Sequence, residues 1–173
     1  ISPLGPPMSV SEAIRAAYSC AKNNPDTESA ALRRAIAHHH NIPLECIIPG
    51  TGAAALLTWA ARDLAESCRK TLQLQPGFSD YDRALQAFGV QTIDTDLLAA
   101  DVWYLDQRQA QLFKDLAARP LAQCGFLLNN PHNPTGAVFS REVVRSLINQ
   151  FALVVVDEAF MDFLPHGREQ SVI

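Results

Sequence analysis

The chain has 173 residues, of which 48% are hydrophobic and 18% are charged. This composition is typical of a globular protein with one domain of ordinary size and a substantial core. The formal net charge of −4 and a pI near 5.7 indicate no basic surface for nucleic acid or for a membrane, and no apolar run approaches the length of a membrane span.

The part of the chain before residue 70 predicts helices over residues 9–21 and 53–67, a helix that ends at residue 40, and a buried strand over residues 46–49. Ser9 and Glu12 have the spacing of a capping box, which predicts the start of the first helix. Asp26 or Thr27 is the predicted cap of the second. The predicted buried faces of these two helices are Ala13, Ile14, Ala17 and Tyr18 in the first and Ala31, Leu32, Ala35 and Ile36 in the second.

Short apolar strands alternate with helices in the rest of the chain. The predicted strands are residues 70–75, 90–93, 125–129 and 153–157, and the predicted helices are residues 79–88, 107–118 and 140–151. Gly89 is the predicted C-cap of one helix and Ser140 the predicted N-cap of another. Continuous β-branched strands between helices are typical of parallel sheets. The pattern therefore predicts an α/β fold with three layers, a mostly parallel sheet covered by helices on both faces.

Three segments follow predicted strands, at the edge where open α/β sheets bind ligands. Gly50 and Gly52 precede a helix whose free N–H groups favour a phosphate, although a tight turn without a ligand explains them nearly as well. Residues 129–136 contain more Asn, Pro and Gly than a turn needs, and they hold the Asn133 amide between two prolines. Asp157 ends a strand and indicates a cationic partner, an N-cap or an ordinary ion pair.

The segments Asn130-Pro131-His132-Asn133-Pro134-Thr135-Gly136 and Asp157-Glu158-Ala159-Phe160 resemble the fold-type I pyridoxal-phosphate enzymes of the histidinol-phosphate aminotransferase branch. Within that branch, the chain looks most like the threonine-phosphate decarboxylases. The resemblance extends in order over nearly the whole chain, from residues 2–5 to residues 157–166. It implies the large domain of that fold type, with residues 1–25 as an N-terminal segment and helix and residues 26–173 as a partial, truncated cofactor-binding domain.

The resemblance also implies a set of contacts with pyridoxal 5′-phosphate. These are phosphate binding by the backbone amides of Gly52, Ala53 and Ala54, stacking of Phe78 on the ring, a hydrogen bond from Asn133 to the 3′ oxygen, and pairing of Asp157 with the ring nitrogen. Phe160 stands where most aminotransferases of the branch have a Tyr that reaches the same oxygen, and the decarboxylases resemble this chain in having Phe. Leu4 and Gly5 resemble part of the loop that closes over the substrate.

Two departures from the family pattern concern the cofactor directly. Asn24 stands where the family has a Tyr that reaches the partner subunit's cofactor phosphate. The only lysines are Lys22, Lys70 and Lys114, and none has the Ser-x-x-Lys-like context of the Schiff-base lysine. That lysine is therefore expected beyond residue 173, in a longer chain of which both ends look cut.

The implied function is pyridoxal-phosphate-dependent decarboxylation of L-threonine O-3-phosphate to aminopropanol phosphate in cobalamin biosynthesis, by a cytoplasmic homodimer. The alternatives are an aminotransferase of the histidinol-phosphate type and a truncated, non-catalytic fragment, with a nucleotide-binding Rossmann domain last. No metal is expected, because the consecutive histidines 38–40 point in three directions on a helix. Three of the four cysteines lie in apolar contexts, which predicts buried free thiols, as in a reducing cytoplasm: Cys20, Cys46, Cys68 and Cys124.

Overall fold

The computed structural model describes residues 5–97, 112, 114–116 and 118–173. It divides them into two compact units, with the division between Pro49 and Gly50. The first unit contains helix α1 (Met8–Ala17), a 3-10 turn (Tyr18–Cys20), helix α2 (Ala30–His40) and a second 3-10 turn (Leu44–Cys46). The boundary predicted between residues 25 and 26 concerns the cofactor-binding domain and stays a prediction.

The second unit contains a sheet of four parallel strands in the order β2-β1-β3-β4. Its elements in chain order are α3 (Ala53–Ser67), β1 (Lys70–Gln75), α4 (Ser79–Ala87), β2 (Thr92–Asp96), β3 (Cys124–Asn129), α5 (Arg141–Ile148), β4 (Leu153–Asp157), a 3-10 turn (Met161–Phe163) and α6 (Gly167–Gln170). In the register of β3 and β4, Asn129 pairs with Asp157, so the two strands end side by side.

The sheet is buried on both faces. Leu127 packs with Ala61 and Leu64 of α3 and with residues of α4 on one face. Phe126 and Leu128 point to the other face, where they pack with Val144 and Leu147 of α5. Successive residues of a strand point to opposite sides, so one strand supplies both cores. The predicted three-layer α/β fold with a parallel sheet is confirmed.

Five of the predicted elements have the predicted bounds to within one residue: α3, β1, α4, β3 and β4. Two caps are also confirmed. Gly89 has φ +64°, and the Ser140 side chain accepts a hydrogen bond from the Val143 backbone at 3.4 Å. The Asp26 carboxylate accepts from the backbone N–H groups of Glu28 and Ala30, at 3.0 and 2.7 Å, so it caps the start of α2. The predicted helix 107–118 lies largely outside the described residues.

The predicted start of the first helix and the predicted buried faces of the first two helices are wrong. The Pro7 carbonyl already accepts from the N–H of Val10, so α1 begins at Met8 and Ser9 is not a cap. Neither α1 nor α2 contains a buried residue. The exposed fractions are 66% for Ile14 and 52% for Leu32.

Two predicted strands also need correction. Residues 46–49 form no strand, because Cys46 closes a 3-10 turn and Ile48 is exposed. The strand predicted at residues 90–93 is β2, which begins only at Thr92. The reason is that the Val90 N–H donates to the Leu85 carbonyl and Gly89 to Gln86, a Schellman motif that ends α4.

The described residues contain no helix long and apolar enough to cross a lipid bilayer. Among them, no three His, Cys, Asp or Glu side chains converge as metal ligands would. The four cysteines are free thiols, as predicted, but they are not buried: Cys20 and Cys46 are exposed, and Cys68 and Cys124 are partly buried.

Candidate functional site

The carboxylate of Asp157 lies at the end of β4 and is held by two donors. Its Oδ2 accepts a hydrogen bond from the Tyr81 hydroxyl of α4 at 2.8 Å, and its Oδ1 accepts from the Ala159 backbone N–H at 3.0 Å. Different elements supply the two donors, so the plane of the carboxylate is fixed. Asp157 is only partly buried, and one side of it faces a cavity.

Tyr81 is the buried member of this pair, with 4% of its surface exposed. Burial and the neighbouring Asp157 carboxylate raise the pKa of Tyr81 above its usual value, so the hydroxyl stays protonated and donates. The ring of Phe78 meets that of Tyr81 edge to face, with 5.5 Å between centroids. Phe78 itself is 40% exposed, and Tyr81 links it to Asp157.

Helix α3 begins on the cavity that Asp157 faces. This cavity has a volume of about 320 Å³, and Ala53 and Asp157 both line it, while most of its other walls are apolar side chains of α3 and β4. The predicted strand before Gly50 is missing, but the start of α3 still reaches the end of β4. The structure therefore brings together the start of α3 and Asp157, and the third segment singled out in the sequence begins beside Asp157, because Asn129 pairs with it.

The first backbone amides of α3 differ in their availability. The Gly52 N–H donates to the Gly50 carbonyl at 2.9 Å, whereas the N–H groups of Ala53 and Ala54 find no acceptor among the described residues. Gly52 has φ +89° and ψ 165°, a conformation that residues with a side chain rarely adopt. The free donors lie at the positive end of the helix dipole, an arrangement that favours an anion.

The loop after β3 is fixed by the side chains of two asparagines. Asn129 Oδ1 accepts from the Asn133 backbone N–H at 2.6 Å, and Asn129 Nδ2 donates to the Asp157 carbonyl at 3.1 Å. Asn130 is fully buried, and its side chain exchanges two hydrogen bonds with the Phe139 backbone, at 2.9 and 3.0 Å. The loop is thereby tied to both β4 and the start of α5.

Asn133 lies in this loop with its backbone held and its side chain available. The Asn133 side-chain amide makes no hydrogen bond within the described part of the chain, and the residue is partly buried. The neighbouring His132 is buried and its Nδ1 lies 2.8 Å from Thr135 Oγ1. Burial lowers the pKa of His132, so this ring is neutral near pH 7.

The remaining predicted site residues are Phe160, Gly5 and Leu4. Phe160 is 44% exposed and packs against Phe163, with 6.2 Å between ring centroids. Gly5 lies in the first unit and is exposed, with φ +68°. Leu4 lies outside the described residues. Lys70 begins β1, so it lies at the amino ends of the parallel strands, whereas Asp157 lies at their carboxyl ends.

Sequence analysis does not predict the contacts of two residues of the site, Tyr81 and Asn129, although Asn129 belongs to the segment 129–136. Tyr81 is an ordinary core position of an amphipathic helix, and its partner Asp157 is 76 residues away. In the sequence, Asn129 is only the last residue of a predicted strand, but both the oxygen and the nitrogen of its side-chain amide make hydrogen bonds that hold the loop. The only local signal for Tyr81 is its spacing of three from Phe78, which places both on one side of α4.

Several known proteins are similar to this chain in sequence and in fold. Threonine-phosphate decarboxylase of Salmonella typhimurium is 32% identical, with 96% of this chain and 44% of that protein aligned. Histidinol-phosphate aminotransferase of Zymomonas mobilis is also 32% identical, with 94% and 43% aligned. The structure of histidinol-phosphate aminotransferase from Sinorhizobium meliloti, in complex with pyridoxal-5′-phosphate, has a TM-score of 0.75 at 25% identity, over 96% of this chain and 44% of that one.

The chain thus spans a little under half the length of the curated relatives that it matches. The Sinorhizobium complex confirms pyridoxal phosphate as a cofactor of the fold family that the sequence resembles. A family model described as aminotransferase class I and II matches residues 3–171. This match covers nearly the whole chain, and the chain therefore belongs to the aminotransferase class I and II family.

Proposed function

We propose that this chain is the cofactor-binding part of a pyridoxal-phosphate enzyme that decarboxylates L-threonine O-3-phosphate to aminopropanol phosphate. One observation carries the proposal. Asp157 and Ala53 line one cavity, and the N–H of Ala53 is unpaired among the described residues. A negative charge and a free N–H donor at the start of a helix suit a ligand with a cationic ring nitrogen and a phosphate group.

The residues present fit this cofactor. The N–H groups of Ala53 and Ala54 supply donors for a phosphate without any change of backbone, because the described residues leave them unpaired. Apolar side chains of α3 and β4 form most of the remaining wall, and such a surface accepts a flat ring. When bound, the cofactor accepts the electrons of the bond that breaks at the substrate Cα.

For each of the other site residues we propose the role that the resemblance implies. Asp157 keeps a proton on the ring nitrogen, because a carboxylate stabilises an adjacent cation. Asn133 offers its unpaired side-chain amide to the 3′ oxygen, while Asn129 holds the Asn133 backbone in place. Phe78, exposed at the start of α4, stacks on the ring. Gly5 and Leu4 contribute to closure over the substrate.

Phe160 favours decarboxylation over amine transfer. Identity does not separate the two activities, since the chain is 32% identical to a decarboxylase and to an aminotransferase. Phe160 has no hydroxyl, so Asn133 is the remaining side-chain donor proposed for the 3′ oxygen. The threonine-phosphate decarboxylases share this feature with the chain, whereas most aminotransferases of the branch have Tyr.

The decisive experiment is a pair of assays on the protein expressed from its complete gene. With L-threonine O-3-phosphate we expect release of CO2 without any oxo acid. With histidinol phosphate and 2-oxoglutarate we expect no comparable amine transfer. Amine transfer without CO2 release would establish the aminotransferase alternative instead.

Phe160→Tyr tests the residue on which the choice rests. The variant restores a hydroxyl near the ring, and we expect the ratio of decarboxylation to amine transfer to fall. Phe163→Tyr is the matched control, because Phe163 is the packing neighbour of Phe160 and is 78% exposed. An equal change of the ratio in both variants contradicts a special role of Phe160.

We propose that the Schiff-base lysine lies after residue 173, in a part of the protein that corresponds to the remaining length of the relatives. Sequencing the gene past the codon for Ile173 tests this. A lysine in a Ser-x-x-Lys-like context supports the enzyme, and a stop codon at that point supports the non-catalytic scaffold. We also propose that the complete protein is a cytoplasmic homodimer that serves cobalamin biosynthesis. Light scattering measures its molar mass and thereby the number of subunits.

A further inference from the structure

The contact between Tyr81 and Asp157 joins two distant parts of the chain at the centre of the site. The Tyr81 hydroxyl lies 2.8 Å from Asp157 Oδ2, and the two residues are 76 positions apart. Tyr81 therefore touches the carboxylate proposed to meet the cofactor, but it does not line the cavity itself. A side chain in this position acts on a ligand only through Asp157.

The Tyr81 ring is held rigidly. It belongs to the core formed with Leu64 of α3, Leu85 of α4 and Leu127 of β3, and the edge-to-face contact with Phe78 fixes its outer side. Packed side chains of a core have few alternative rotamers. The hydroxyl consequently has one location, and the carboxylate has to adopt the orientation that meets it.

The Ala159 N–H anchors the second oxygen of the same carboxylate, at 3.0 Å. A carboxylate offers about four acceptor sites on its two oxygens. Each oxygen of Asp157 uses one site for its protein donor and keeps one for a ligand. With both oxygens anchored, the free sites point in fixed directions, and part of Asp157 lines the cavity.

We propose that Tyr81 is a positioning residue, which orients the Asp157 carboxylate towards the ring nitrogen of pyridoxal phosphate before the cofactor binds. The inference rests on the proposed function, because it concerns the same cofactor. Preorganisation of this kind lowers the cost of ordering the carboxylate on binding. Loss of the hydroxyl should therefore weaken cofactor binding while the core stays packed.

The test is the affinity of the cofactor-free protein, expressed from its complete gene, for pyridoxal phosphate, followed by absorbance and fluorescence. We expect Tyr81→Phe, which removes only the hydroxyl, to weaken the affinity by about 5- to 20-fold. Tyr18→Phe is the matched control, because Tyr18 is 81% exposed, and it should leave the affinity unchanged. A cooperative thermal unfolding transition of each cofactor-free variant checks that the variant is folded.

A double-mutant cycle separates positioning from a general effect on the fold. In the Asp157→Asn background, Tyr81→Phe should change the affinity by less than about twofold. An undiminished effect in that background overturns the inference, since Tyr81 would then act through something other than Asp157. The cycle measures binding alone and needs no turnover.

Unnatural side chains at position 81 keep the test valid if Tyr81→Phe does not fold. 4-Fluorophenylalanine fills the space of the hydroxyl but cannot donate, so it should bind as weakly as predicted for Tyr81→Phe. 4-Aminophenylalanine places an N–H donor there and should restore the affinity. Equal affinity of both variants and the wild type overturns the inference alone, whereas a wild type that binds no pyridoxal phosphate overturns the proposed function with it.

Discussion

Asn130 and Asn133 lie three residues apart in one loop, but their side chains have opposite surroundings. Asn130 is fully buried and bonds both the N–H and the C=O of Phe139, whereas the Asn133 amide is unpaired within the described residues. The first asparagine therefore serves the fold, and the second is available to a ligand. Both occur in the same motif, so the residue type alone does not separate these roles.

We expect Asn130→Ala to destabilise the protein by about 1–3 kcal/mol, because it removes two buried hydrogen bonds with the Phe139 backbone. Urea denaturation measures the loss. Asn133→Ala is the matched control in the same loop, with an expected change within about 0.5 kcal/mol. Equal costs for the two variants would contradict the separation of their roles.

His132 makes the stability depend on pH in a defined direction. Burial lowers the pKa of His132, so the unfolded chain binds more protons than the folded one at mildly acidic pH. The contribution of the neutral ring is complete above the unfolded pKa of about 6.5 and is lost as the pH falls from there through the lowered folded pKa.

Thermal unfolding between pH 7.5 and 5 checks this expectation. The melting temperature of the wild type should fall with pH more steeply than that of His132→Gln, which cannot take up the proton. His38→Gln serves as the control, because His38 is exposed on α2, and it should keep the slope of the wild type. The same slope in all three proteins would show that His132 titrates normally.

Among the elements, the sequence predicts the second unit far better than the first. In α3 the apolar residues recur with the helical period, and β3 and β4 are continuous apolar runs, and tertiary packing agrees with both local patterns. In α1 the same kind of pattern predicts a buried face that the structure does not bury. A periodic pattern indicates that a face could be buried, but it does not supply a partner for it.

The boundaries that sequence analysis misplaces are those decided by backbone hydrogen bonds. Pro7 starts α1 before Ser9 can cap it, and the bond from Val90 to Leu85 delays β2 by two residues. The site shows the same limit. Asp157 and the start of α3 are visible as local motifs, whereas the bond from Tyr81 to Asp157 depends on how α4 packs on the sheet.

At the scale of the molecule, burial is distributed very unevenly between the two units. Among the described residues before Gly50, Ile47 is the one buried hydrophobic side chain, while both cores of the sheet belong to the second unit. The free energy of local unfolding is low where folding buries few apolar groups. The helices α1 and α2 should therefore open far more often than α3, although α1 and α3 are both regular helices.

Hydrogen–deuterium exchange followed by mass spectrometry measures this difference along the chain. For the chain of residues 1–173, we expect peptides from α1 and α2 to exchange at least about 100-fold faster than peptides from β1 and β3, which lie in the interior of the sheet. Peptides from α3 are the internal control, because Ala61 and Leu64 anchor that helix in the core. The same experiment on the protein made from the complete gene tests whether α1 has a partner there. If α1 is as protected as α3 in that protein, but not in residues 1–173, then another part of the protein or a second subunit covers the exposed Ile14 and Tyr18. Strong protection of α1 in residues 1–173 themselves would show that low burial does not make this helix open more often.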